Sequence, residues 1–212
     1  FPYTTLFRSG EVYKVKPGNS KYVDVNKDGV YNDADQGIIG CGQPTFNWGW
    51  NNTFNYKNFD FSFFVVGFHG FDIYNATHQM GYNLIKSQQM AGVTPMRELL
   101  NRWTPTNTNT DIPGFVKGGT ENKDFFSTRF VENGSFIKMK SITLGYTLPE
   151  ATCRSFGINN LRVYASVQNP FHITKYSGLD PEATMGSPLV QGVDWGAYPN
   201  SRNYLIGLNF SF

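Results

Sequence analysis

The stretch DVNKDGVYNDAD, residues 24–35, sets oxygen-bearing side chains at alternate positions around a glycine. Asp24, Asn26 and Asp28 stand at positions 1, 3 and 5 of a twelve-residue loop, Val30 at 7 and Asp35 at 12. That is the D-x-N-x-D-G spacing by which a calcium loop gathers carboxylate, amide and backbone carbonyl oxygens, with Gly29 permitting the sharp turn. A helix–loop–helix site would carry Glu at position 12 and a helix on each side. Here position 12 is Asp35, and no helical periodicity flanks the loop. Two readings stand: a calcium staple on an exposed connection, or an Asx-rich turn that holds without an ion.

Other chemistry is sparse. His69, His78 and His172 lack metal-ligand spacing, and the sequence contains no nucleophile elbow and no phosphate loop. The expectation is a protein that is not an enzyme. Trp103, Trp195 and Tyr198 fall in connections, where they either stack on sugars or pack locally. Cys41 and Cys153 form no metal or redox spacing.

The elements that position these residues carry an unusual composition. Aromatic residues make up 17% of the 212, with 19 Phe, whereas charged residues make up 16%. Charge is nearly balanced, 18 Lys and Arg against 16 Asp and Glu, with no clustered basic face of the kind nucleic acid needs. No apolar run approaches the roughly 20 residues of a membrane helix.

Strict two-residue alternation recurs instead. In TFNWGWNNTFNY, Phe46, Trp48, Trp50, Phe54 and Tyr56 share one face and polar residues the other, with Asn52 the one break. After a turn at Lys57 and Asn58, Phe59, Phe61, Phe63 and Val65 share a face. The opposite face there ends in Phe64, Val66 and Phe68, so it is not purely watery and could pack on something inside a barrel. Ile142, Leu144, Tyr146 and Leu148 form a third such face, Leu161, Val163, Ala165 and Val167 a fourth, and Tyr204, Ile206, Leu208, Phe210 and Phe212 a fifth. Strands are expected over about 44–56, 59–69, 135–148, 161–169 and 201–212.

Faces this aromatic need an apolar medium on one side and water on the other. Connections alternate between short turns and long loops, the habit of outer-membrane barrels. A soluble β-sandwich alternates too. Two details favour the membrane. Aromatics sit at the ends of the apolar faces. Lys140 and Lys138 continue the Ile142–Leu148 face, and Lys140 falls roughly 20 Å along the membrane normal, near the edge of a band about 25 Å tall. Cys41 and Cys153 then lie across that band, beyond the roughly 7 Å reach of a disulfide, and no bond between them is expected. The region 72–102 reads partly helical and serves as a lid or partner surface, or covers its own barrel.

Five strands cannot close a barrel, since membrane barrels begin at about eight, and open edges cannot face lipid. The expectation is a piece of a larger protein. Residues Phe1 to Ser9 are identified as the in-frame translation of a sequencing-library adapter, leaving 10–212 as barrel.

The chain resembles the C-terminal end of SusC/RagA-type TonB-dependent outer-membrane transporters. The resemblance rests on YVDVNKDGVYNDADQGIIG, PTFNWGWNNTFNYKNFDFSFFVVG, RWTPTNTNTDIP, FVENGSFIKMKSITLGYTLP, LRVYASVQNPFHITKYSGLDPE and the ending YLIGLNFSF, in that order. It implies an all-β fold, the last five antiparallel strands of a barrel of about 22, the class with a plugged lumen. It also implies a bacterial outer-membrane location and import of bulky nutrients, often oligosaccharides. The implied partners are a SusD-like surface lipoprotein, the TonB complex, the outer-membrane insertion machinery and lipid. The terminal face Tyr204, Ile206, Leu208, Phe210 and Phe212 resembles the signal that the insertion machinery reads. Two rival functions remain open: a passive porin, and a secreted calcium-binding carbohydrate module.

Overall fold

The computed structural model describes residues 17–20, 23–29, 33–82, 95–114, 127–155, 157–185 and 191–211. Residues 1–9, Val30 and Phe212 therefore lie outside the described residues. In chain order the elements are β1 (Phe46–Tyr56), β2 (Phe59–His69), β3 (Asp72–Asn75), α1 (Ala76–Tyr82), β4 (Val131–Asn133), β5 (Phe136–Thr147), α2 (Glu150–Ser155), β6 (Asn160–Thr174), β7 (Val193–Asp194) and β8 (Asn203–Ser211). They fall into two compact units.

One unit, within 43–71, 133–191 and 197–212, is an antiparallel five-stranded sheet in the order β1-β2-β5-β6-β8. Alternation sets its two faces. Phe54 lies opposite Phe61, Phe61 opposite Leu144, Leu144 opposite Ala165 and Ala165 opposite Ile206. This apolar face is exposed: Tyr204 is 71% accessible, Ile206 85% and Leu208 60%. Its rings touch across strands, Trp50 edge-on to Phe63 at 5.1 Å and Phe59 against Tyr146 at 4.6 Å between centroids. The opposite face is polar near the short turns and in the middle. Thr143 and Ser166 share a hydroxyl hydrogen bond of 2.8 Å there. Gly145 has no side chain, so the Arg162 guanidinium crosses β5 to pair with Asp60, its Nε donating to Asp60 Oδ1 at 2.8 Å. A side chain at residue 145 would sit in that ion pair.

The strands run close to their expected limits except β6, which continues through Pro170 to Thr174. Asn169 takes a left-handed conformation, φ 49°, and β6 passes over the proline at an irregularity in its pairing. β5 carries the matching irregularity. Phe64 and Val65 are neighbours on β2, but their partners are Ser141 and Met139, so Lys140 is an extra residue in β5. This bulge corrects the placement of the lysines. Below it, Ile142 and Leu144 lie on the apolar face; above it, Met139 and Ile137 do, and Lys138 is carried to the other face, opposite Val66 and His172. Lys138 and Lys140 therefore do not mark a lipid interface.

The turn between β5 and β6 is not plain coil: it holds α2, whose Cys153 is buried. Cys41 is exposed, and neither cysteine forms a disulfide.

The other unit, within 1–42, 72–132 and 192–196, contains a small sheet in the order β4-β3-β7, with β3 and β7 parallel. Its core is Ile73, Tyr74 and Ala76. The helical expectation for 72–102 is met by α1 and by a 3-10 helix at Arg97–Asn101, while residues 83–94 lie outside the described residues. Asn75 starts α1 by accepting the His78 N–H at 2.8 Å, and its amide also donates to Glu132.

Candidate functional site

The described parts of this loop, residues 24–29 and 33–35, meet one another. Asp24 accepts the N–H of Asp28 at 3.2 Å and of Gly29 at 2.8 Å, and Asn26 accepts the Asp28 N–H at 3.0 Å. Asp35 reaches back across the loop to accept the Val25 N–H at 2.9 Å. Gly29 has φ 81°, the left-handed turn expected of it. Among the described residues no group of three or more His, Cys, Asp or Glu converges at metal-ligand spacing. The arrangement is a turn organised by its own backbone donors.

The three loop aromatics are placed differently. Trp103 is half-buried, its ring lying against Gly18 and Gly114 in a cleft with Pro17, Arg102 and Pro105. Trp195 is 58% and Tyr198 89% accessible. Trp103 is committed to its own loops; Trp195 and Tyr198 are not.

The best-formed polar site is one that strand alternation hides. On the polar face of the five-stranded sheet, Lys138 is 2% accessible. Its ammonium donates to Asp180 Oδ2 at 2.8 Å and to Glu182 Oε2 at 2.7 Å, and Lys140 pairs with the other Glu182 oxygen. Asn200 closes the cluster: its N–H donates to Asp180 at 3.2 Å and its amide to Glu182 at 2.9 Å. Two lysines thus face two carboxylates, and every charge has a partner, the condition under which burying ions is tolerable. Burial by itself would raise both carboxyls. The Lys138 hydrogen bond, joined by the Asn200 N–H for Asp180 and by Lys140 for Glu182, outweighs it and holds both below the usual carboxylate range.

The sign of the pH dependence follows. A carboxylate with a lowered folded pKa contributes its full stability above the unfolded value of about 4 and loses it as pH falls through the folded value. Protease protection of residues 176–184 is therefore expected to hold from neutral pH to about 5 and to fall only below about 4. Loss of protection already near pH 6 would contradict this assignment of the charges.

Sequence reasoning did not find this cluster. Its one local signal is a pair of lysines interrupting an aliphatic face. Of the terminal-strand residues singled out by alternation, Tyr204, Ile206, Leu208 and Phe210 share the exposed apolar face.

No protein-family model matches the chain. It is 36% identical across its whole length to a TonB-dependent receptor of Formosa agariphila, of which it covers 20%. It is 32% identical over 93% of its length to the TonB-dependent receptor SusC of Bacteroides thetaiotaomicron, covering 18% of that protein. Among solved structures it superposes on the RagAB peptide importer in the open-open state with a TM-score of 0.73 and 26% identity, over 99% of this chain and 22% of that one. The chain thus spans about a fifth of the proteins it matches.

Proposed function

We propose that this chain, homologous along its length to TonB-dependent receptors, is a segment of one of the SusC/RagA type, an outer-membrane protein rather than an enzyme, and that the receptor imports bulky nutrients, oligosaccharides foremost, by energy-coupled transport. The observation that carries this reading is the sheet itself: an exposed aromatic and aliphatic face backed by a polar, ion-paired one, superposing on a solved importer. Lipid is the medium for the first face and an aqueous lumen for the second. A SusD-like surface lipoprotein and the TonB complex are the proposed partners. Exposed Trp195 and Tyr198 are the proposed contacts for sugar, with Trp103 as backing for its own loop. The test is uptake of labelled oligosaccharides by cells carrying the complete receptor, with and without TonB. Loss of uptake without TonB is expected. Undiminished uptake would favour a passive porin, and uptake of peptides alone would move the cargo to the class named for RagAB.

The terminal face of Tyr204, Ile206, Leu208 and Phe210, with Phe212 beyond the described residues, is proposed as the signal for the insertion machinery. A complete receptor lacking residues 210–212 is expected to reach the surface at strongly reduced level. Normal surface abundance would refute the signal.

Calcium is proposed to brace the loop through Asp24, Asn26, Asp28, Asp35 and the Val30 carbonyl. In support, Asp24 and Asp35 both accept backbone N–H groups from residues 25–29, the stretch that also carries Asn26 and Asp28. An extracellular-type affinity on the order of 10⁻⁴–10⁻³ M suits this ligand set. Proteolysis of residues 24–35 in the complete receptor should slow when calcium is added and quicken with chelator. Equal cleavage in both, or unchanged behaviour of Asp28→Ala, leaves the turn without an ion.

A further inference from the structure

We infer that Lys175 and Arg202 form a docking site for the phosphate of an outer-leaflet glycolipid whose acyl chains lie along Phe171, Ile173 and Tyr204. This rests on the membrane reading of the apolar face and not on transport.

The pairing of charges singles these two cations out. Asp60, Glu150, Asp180 and Glu182 are the acidic side chains of the unit that holds the five-stranded sheet. Each already has a basic partner: Arg162 for Asp60, Arg154 for Glu150, and Lys138 and Lys140 for the other two. Among the described residues of that unit, Lys57, Lys175 and Arg202 are the Lys and Arg left without a carboxylate. Lys57 is at the short-turn end, its ammonium 5.5 Å from the centre of the Tyr56 ring. Lys175 follows the end of β6 and Arg202 precedes the start of β8, at the end where the long connections leave. Long connections are the extracellular ones in such barrels.

Local hydrogen bonds decide which way each cation points. Thr174 lies opposite Phe136, whose ring stacks on Phe68 of the lumen face. The Thr174 hydroxyl donates to the Ser135 carbonyl at 3.0 Å and accepts the Tyr176 N–H at 3.1 Å, and Tyr176 is buried. Lys175, between these two inward residues, is exposed. It therefore continues the outward row of Phe171 and Ile173, which lie opposite Met139 and Ile137 on the apolar face. The same logic holds at β8. Asn203 lies opposite Gln168 on the polar face, and its amide donates to the Gln168 carbonyl oxygen at 3.4 Å. The Ser201 hydroxyl donates to Asn203 Oδ1 at 3.3 Å, so residues 201 and 203 share that face. Arg202, exposed between them, falls on the side of Tyr204 and Ile206.

An exposed apolar strip ending in two unpaired cations is complementary to an amphiphile with an anionic head. Phe171, Ile173 and Tyr204 are exposed and offer the acyl chains a surface. The Arg202 guanidinium presents a planar fork to two phosphate oxygens, and Lys175 adds a point charge. Both stems can lie on the apolar strip while the charges reach head-group level. A neutral head would leave both cations uncompensated. The outer leaflet of an outer membrane is built of phosphorylated glycolipid, which sets the source of the phosphate.

The experiment titrates the purified complete receptor, in neutral detergent, with lipid A and with phosphate-free lipid A, and counts bound lipid by native mass spectrometry. The parent is expected to hold lipid A about tenfold more tightly than the phosphate-free form. Lys175→Glu with Arg202→Glu should abolish that preference, and Lys57→Glu, at the other end of the sheet, should leave it intact. Where the double reversal lowers the yield of folded receptor, Lys175→Gln with Arg202→Gln removes both charges and should also abolish it. Retention of either lipid by the apolar face reports the membrane reading; the preference between them reports this site. A parent without preference, a preference that survives in the double variants, or displacement of lipid A by an equal concentration of phosphatidylglycerol would overturn the proposal.

Discussion

Lys138→Met should destabilise the complete receptor by about 3–5 kcal/mol, because it strands buried carboxylates without their cation. Asp180 is 4% accessible and would keep only the backbone N–H groups of Asn200 and Glu182. Glu182 would retain Lys140 and Asn200, so the loss falls mainly on Asp180. The control is Lys138→Met with Asp180→Leu. Removing both partners of a buried pair for apolar groups of similar volume is often neutral, so the double variant should recover most of the loss. Urea midpoints of the barrel refolded into lipid measure both. A single variant as stable as the parent, or a double variant worse than the single, would show that the pair is not desolvated as the geometry requires.

Ile206→Arg is the second large effect. Ile206 lies in the middle of β8, opposite Ala165, on the face carrying Leu208 and Phe210, and is 85% accessible in this sheet. If that face meets lipid, an Arg near the midplane costs roughly 2–4 kcal/mol. The neighbouring residue supplies the contrast. Leu205 lies opposite Ser166 on the lumen face, and Leu205→Arg places its charge toward water. Heat-modifiable folded receptor in the outer membrane should fall sharply for the first variant and little for the second. Equal effects would mean that the two faces do not see different media, and the membrane reading would fail.

What was legible along the chain was whatever has a short period. Alternation over Phe46–Tyr56, Phe59–Val65 and Tyr204–Phe210 assigned the apolar face correctly, because each residue's side is set by its neighbour two positions away. The two-residue turn at Lys57 was legible for the same reason, and so was the left-handed Gly29. The greasy end of the opposite face, Val66 and Phe68, was recognised as not purely watery, although nothing nearby said what it packs on.

The same rule misplaced Lys138. One extra residue in β5 reverses the parity of everything beyond it, and a bulge leaves no mark in composition. Likewise Pro170 reads as a stop, but β6 passes it at an irregularity. The small sheet of β3, β4 and β7 is too short in each strand to show any period.

By itself, then, the sequence determined a strand-rich chain with one face for an apolar medium, and the order of its motifs tied it to a family of transporters. The tertiary structure alone decided where its charges go. Lys138 meets Asp180 across 42 residues, and Arg162 meets Asp60 across 102. Alternation is a property of the backbone pleat and repeats every second residue. An ion pair is a property of distance in space, and it depends on a bulge in one case and on a glycine with no side chain in the other.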